Sequence, residues 1–236
     1  MDALNTKIKS ILTEKTLKVR PENIKKDVEM FGITGTYEGS EAVYPSVSDS
    51  QCIGGGNNTS LTASVTAIAN NVVYAMIVCR STITMSNDWT LLTSNSLTDN
   101  GTTQTTYIYY QIPSTSGTVT CTVTQSSNVR MFLSLFAMDN DIYAPSGVKN
   151  ETFTSSPSLP QTYTLTNVKK SSFIICSKVL SNNTADPDFS TTDPLTKYAT
   201  TADQDRMAVF FSDKDYGSLV ITADGQAKAA ITVLTL

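Results

Sequence analysis

Apolar residues recur along this chain in two different rhythms. In residues 1–16, Leu4, Ile8, Ile11 and Leu12 stand at i, i+4, i+7 and i+8, which places them on one face of a helix. Lys7, Lys9 and Lys15 lie mostly off that face. The spacing predicts a short amphipathic helix that is marginal alone in water, so its stripe calls for a partner surface. Pro21 ends that helix and suits the first position of a brief second one running through Ile24. Residues 28–37 alternate loosely and carry Gly32 and Gly35. They read as a short strand pair or an extended arm, followed by a linker at 38–41.

From about Thr59 the rhythm changes to period two. Residues 61–68 alternate, and so do 119–123. Residues 72–79 are continuously apolar, as in a strand covered on both faces. Residues 105–112 carry Tyr107, Ile108, Tyr109 and Tyr110, and 131–138 form another apolar run. Turn-forming strings separate these runs: Asn70-Asn71, Ser86-Asn87-Asp88, Asp99-Asn100-Gly101, Ser116-Gly117 and Ser126-Ser127-Asn128. The order then repeats. Residues 163–165 answer the first strand and 173–176 the second, 207–211 the aromatic strand, 218–222 the alternating one and 229–234 the last. The pattern predicts an all-β protein: a jelly-roll-like β-sandwich over residues 45–236 with two similar five-strand halves, at about 59–139 and 160–236, behind an N-terminal arm of residues 1–44. One sandwich formed by pairing the halves is expected over two small domains. A five-strand half alone is hard pressed to cover both faces of its apolar strand. Gly54-Gly55-Gly56 reads as a hinge between arm and sandwich, because no strand-to-helix transition or Lys-Ser/Thr makes it a phosphate cradle.

Composition narrows the function. Charged residues are 16% of the 236, and Ser, Thr and Asn cover the surface instead. A net charge of −4 argues against nucleic acid as the main partner, since phosphate neutralisation needs clustered Lys and Arg. The sequence holds no apolar run of the ~18 residues that a membrane-spanning helix needs. Its start lacks the basic-then-apolar pattern of a secretory signal. Histidine is absent, which removes zinc-histidine sites, Ser-His and Cys-His pairs, and imidazole acid–base chemistry. Cys52, Cys79, Cys121 and Cys176 form no C-x-x-C pair and read as small buried hydrophobes.

The strings Ile11-Leu12-Thr13-Glu14-Lys15, Arg20-Pro21-Glu22-Asn23-Ile24-Lys25-Lys26 and Phe31-Gly32-Ile33-Thr34-Gly35-Thr36-Tyr37 resemble, in order and spacing, a segment of virion and tail proteins of phages infecting Firmicutes-type bacteria. The resemblance covers residues 4–38. It implies an anchoring module, carried by Leu4, Ile8, Ile11, Leu12, Pro21, Ile24, Phe31, Gly32, Gly35 and Tyr37, and does not identify the downstream function. The later chain is similar to a sandwich module of phage tail and bacterial surface proteins, in the apolar strand at Val72 to Ala75, Trp89-Thr90-Leu91 and the Tyr-Tyr strand ending at Tyr110. The resemblance implies a virion location and partners among other phage structural proteins; the arm's unpartnered apolar stripe points to a homo-oligomer, with a trimer expected.

Two kinds of site remain. Trp89, Tyr107, Tyr109 and Tyr110 offer faces for stacking on sugar rings. Tyr107 and Tyr109 share one strand face while Tyr110 points the other way, and one of those faces must be core. Four Asp-x-Asp pairs, Asp139/Asp141, Asp186/Asp188, Asp203/Asp205 and Asp213/Asp215, fit turn chemistry. They also fit calcium or a glycosidase carboxylate pair. Asp186, Asp188 and Asp193 form the best calcium candidate, without the spacing of an EF-hand; no other cofactor is expected. The expected function is non-enzymatic: a tail fibre or baseplate component that binds host-surface glycan. The alternative is a capsid decoration or head-fibre protein with a purely structural role.

Overall fold

The computed structural model describes residues 29–30, 33–34, 44–86, 88–99, 101–140, 145, 147–153, 161–179, 189–200, 207–223 and 228–236. Two compact units divide the chain, Met1–Val43 and Tyr44–Leu236. In the first, β1 (Glu29–Met30) pairs antiparallel with β2 (Ile33–Thr34), the strand pair rather than the extended arm. The expected helix and the anchoring residues Leu4, Ile8, Ile11, Leu12, Pro21, Ile24, Phe31, Gly32, Gly35 and Tyr37 lie outside the described residues.

Among the described residues the second unit is all β and antiparallel. It runs through β3 (Ser46–Ala67), β4 (Val73–Cys79), β5 (Ile83–Met85), β6 (Thr90–Asp99), β7 (Thr102–Gln111), β8 (Gly117–Asp139) and β9 (Gly147–Phe153). It continues with β10 (Gln161–Val168), β11 (Ser172–Val179), β12 (Phe189–Ser190), β13 (Thr196–Thr200), β14 (Met207–Phe211), β15 (Tyr216–Ala223) and β16 (Lys228–Thr235). β3 and β8 are long enough to belong to two sheets each. Residues 46–53 of β3 pair with the C-terminal part of β8, which continues the sheet to β4, β7 and β6. Residues 60–67 of β3 pair with 117–124 of β8, whose neighbour is β5. The bend between these parts falls at register shifts between Gly54 and Asn57 and between Asn58 and Ser60. Bulges are the usual means by which a strand turns from one sheet into another.

The triple glycine is therefore a corner inside a strand and not the expected hinge. Gly54 and Gly55 have φ of 118° and 112°, values that side chains rarely adopt. A Cβ on Gly54 would strike the Met131 carbonyl oxygen and stand 2.9 Å from the Cα of Phe132. Across the same bend Gln125 donates to the carbonyl oxygens of Asn58 and Val129.

Counting the two parts of β3 and of β8 separately, each half has eight strand segments in one topology. Numbered in chain order, the larger sheet reads 5-6-3-8-1 and the smaller 2-7-4 in both halves. This is jelly-roll connectivity with the fifth strand placed on the edge of the larger sheet. The repeat legible in the sequence is thus real, but the halves begin earlier than expected, at Ser46 and Gly147. Each has eight strand segments rather than five. Nor do the halves pair into one sandwich: each is a two-sheet sandwich with a core of its own. In the first, Ala63, Val65 and Ala67 meet Val73, Ala75, Ile77, Leu133 and Leu135. In the second, Tyr163, Leu165 and Ile221 meet Ile174, Cys176 and Ile231. The larger sheets then pack face to face through a third core, where Tyr74, Met76, Phe132 and Phe136 meet Phe173, Ile175, Val209 and Phe211.

This stacking accounts for the continuous apolar strand. All of β4 is buried, because its alternate residues enter the first half's own core and the core between halves. One edge of the central interface is polar. The Thr106 and Ser177 hydroxyls lie 2.8 Å apart, Gln104 Nε2 donates to the Lys178 carbonyl oxygen at 3.1 Å, and Asn150 Nδ2 donates to Thr93 Oγ1 at 3.0 Å. Apolar burial gives the interface its strength, and these directional bonds fix its register.

Candidate functional site

The site is built by two connections at one end of the first jelly roll, β5–β6 and β7–β8. The first carries Ser86, Asp88 and Trp89, and the second carries Pro113, Ser114 and Thr115. The second is held to the neighbouring β3–β4 turn, where the Asn70 amide donates to the Pro113 carbonyl oxygen at 2.8 Å and the Ala69 amide to Ser116 Oγ at 2.9 Å. Asn70, with φ of 64°, takes the left-handed conformation that Asn tolerates best among residues with side chains. Between the two connections lies a cleft of about 430 Å³.

Gln111, Thr118 and Thr120 complete its walls. Thr120 is anchored by a hydroxyl contact of 2.9 Å to Ser64. Trp89 is half-buried, packing against the first half's core while lining the cleft. Asp88, on its N-terminal side, is exposed and has φ of 83°. A non-glycine residue held in such a region stores about 1–3 kcal/mol of strain, and here Asp88 lines the cleft together with Trp89. An aromatic surface set among hydroxyl, amide and carboxylate groups matches a sugar, which offers apolar C–H faces and a rim of hydroxyls.

The structure does not gather the four expected aromatics into one place. Tyr107 and Tyr109, with ring centroids 6.4 Å apart, pack with Trp89 on the first half's core, but neither lines the cleft. Burial pushes both phenols above their ordinary pKa. Tyr110 packs on the opposite face, against the core between halves. The sequence therefore separated Tyr110 from its neighbours correctly. What it missed is the polar lining from Gln111 to Thr120; its signal was the turn string Ser116-Gly117, legible as a connection but not as a wall facing Trp89.

Of the calcium candidates, Asp186 and Asp188 lie outside the described residues. Asp193 is half-buried in a turn, its amide donating to Thr191 Oγ1 at 3.1 Å and its carbonyl accepting from the Leu195 amide at 2.8 Å. Asp215 accepts from the Lys170 amide at 2.7 Å, a tie between the β10–β11 and β14–β15 connections. Among the described residues, no group of three or more His, Cys, Asp or Glu side chains is placed to hold a metal ion.

The fold and cleft define a class: an all-β protein of paired jelly rolls with a polar, tryptophan-bearing cleft at one end. Comparison with protein-family models, with curated proteins and with solved structures found no match.

Proposed function

We propose that this chain is a tail-associated phage protein that binds host-surface polysaccharide through the Trp89 cleft and joins the particle through residues 1–44. The observation that carries the reading is the cleft: one indole at the edge of an about 430 Å³ space walled by hydroxyl and amide side chains. Jelly rolls serve as both viral structural and lectin domains, so the fold is compatible with the role without specifying it. The resemblance of residues 4–38 to phage virion proteins supports the location. Binding, not turnover, is the chemistry proposed. A weak single site suffices, because many copies on one particle supply avidity.

The test is binding of the full chain to a glycan array and to purified cell-wall polysaccharides of Firmicutes bacteria, wild type against Trp89→Ala. Loss of one stacking contact worth about 1.4 kcal/mol lowers affinity about tenfold; because Trp89 also packs on the core, binding is compared at a temperature where both proteins are folded. No saturable binding to any wall glycan would overturn the proposal. Absence of binding together with a copy number matching capsid symmetry would favour a capsid decoration or head fibre instead.

A further inference from the structure

The two jelly rolls treat one equivalent sheet edge differently. In the first, residues 60–67 form an edge of the smaller sheet, and side chains from residues 46–53 cap it. Gln51 Oε1 accepts from the Ser64 amide at 2.6 Å, and Asp49 Oδ2 accepts from the Thr66 amide at 2.7 Å. A capped edge cannot recruit another strand. In the second jelly roll the equivalent edge is β10. Asp49 and Gln51 stand opposite Ala137 and Leu135, which stand opposite Val73 and Ala75. By the same registers Lys149 and Glu151 stand opposite Val233 and Ile231, and these opposite Ile174 and Cys176. Lys149 and Glu151 therefore replace the two caps. They form an ion pair with each other, and among the described residues no side chain caps the Thr164 or Thr166 amide.

Those amides point out of the sheet. In a strand of L-residues, the face a side chain takes also decides the side toward which its own N–H and C=O point. Ser64 and Thr66 are exposed-face residues with outward amides. Thr162, Thr164 and Thr166 are the exposed-face residues of β10. A groove of about 180 Å³ runs beside this edge, which pairs with no other strand among the described residues, and is bordered by Lys149, Glu151, Leu165, Asn167 and Val233.

We infer that β10 is a strand-pairing edge and that its occupant is β10 of a second copy of this chain, antiparallel about a twofold axis at Thr164. In that register Thr164 faces its own copy and Thr162 faces Thr166 of the partner subunit, so every exposed cross-strand pair is Thr–Thr. No like charges meet, and hydroxyl pairs of this kind already join Thr62 to Thr122 at 3.0 Å and Ser64 to Thr120 at 2.9 Å within the chain. Cross-strand Thr pairs favour association, and a self-complementary patch closes as a dimer. The inference is independent of glycan binding.

Sedimentation equilibrium of the full chain at micromolar concentration tests it, with two variants. Thr164→Pro removes an outward N–H and leaves the ladder to β15 intact, since an edge strand tolerates proline there. The double change Lys149→Asp with Glu151→Gln transplants the first half's cap. Wild type is expected at twice the 25.5 kDa of one chain, in place of the trimer expected from the sequence, and each variant to dissociate at least tenfold more readily. Because the second variant leaves β10 unchanged, misfolding of the proline variant does not spoil the test. A monomeric wild type, or an assembly unchanged by Lys149→Asp with Glu151→Gln, overturns the inference.

Discussion

Alanine at Gly54 separates a corner in a strand from a flexible hinge. The new Cβ would lie 2.9 Å from the Phe132 Cα and 3.2 Å from Leu61 Cδ1, and would strike the Met131 carbonyl oxygen. Two of those three neighbours are backbone atoms of β8, so no side-chain rotation relieves them. The φ of 118° adds strain of about 1–3 kcal/mol, and forced overpacking about 1–3 kcal/mol more. The expected loss is thus about 2–6 kcal/mol, or roughly 4–24 °C in melting temperature for a domain of this size. Gly56→Ala is the internal control: its nearest contact is Asn58 Nδ2 at 3.8 Å, and it should change stability by no more than about 0.5 kcal/mol. Urea denaturation reads both, as a shifted midpoint at constant slope. If Gly54→Ala were tolerated as well as Gly56→Ala, the corner would not depend on glycine and the steric argument would fail.

Two further outcomes follow from the cores. Phe173 is fully buried between the halves, with ring centroids 4.9 Å from both Phe136 and Phe211. Phe173→Ala should cost about 3–5 kcal/mol in urea denaturation, and a loss under about 1 kcal/mol would mean that the central interface carries little stability. Burial pushes the Cys79 thiol up to about 11 and the Cys121 thiol up to about 12, from 9.0. The unfolded chain then loses these protons first as pH rises. The two thiols should therefore leave stability unchanged just below pH 9 and lower it from there toward 11, by up to about 1.4 kcal/mol per thiol per pH unit. A urea midpoint that rose across that window would contradict the burial.

Much of this fold was legible because period two is a strong signal. The buried alternation at Ala63, Val65 and Ala67, and at Tyr163 and Leu165, is written directly in the sequence, as is the repeated strand order. The first strand of each half was not. Residues 46–53 show no clean alternation, since a register shift lies between Val47 and Asp49 and the strand spends Asp49 and Gln51 on backbone amides. The glycine triplet misled because flexibility and tight backbone approach call for the same residue. The continuous run at 72–79 showed that both its faces must be covered, but not that its own half covers one and the duplicate covers the other. At the site, Trp89 stood out as the chain's single tryptophan. Its neighbours did not, because Gln111 and Thr120 reach it only through strand pairing distant in sequence.

The face-to-face stacking also sets a timetable for synthesis. All eight segments of the first jelly roll lie before residue 140, so that half can close while the rest of the chain is still being made. Its larger sheet then presents Tyr74, Met76, Val78, Ile108, Phe132 and Phe136 with no partner until the second half arrives. At about 5–20 residues per second, the remaining stretch takes roughly 5–20 s to emerge. For that interval each nascent chain carries a broad oily face that fits the same face on a neighbouring ribosome's product. Slow translation after residue 140 should therefore lower soluble yield, and separate expression of residues 44–140 should give a protein that seeks its missing half.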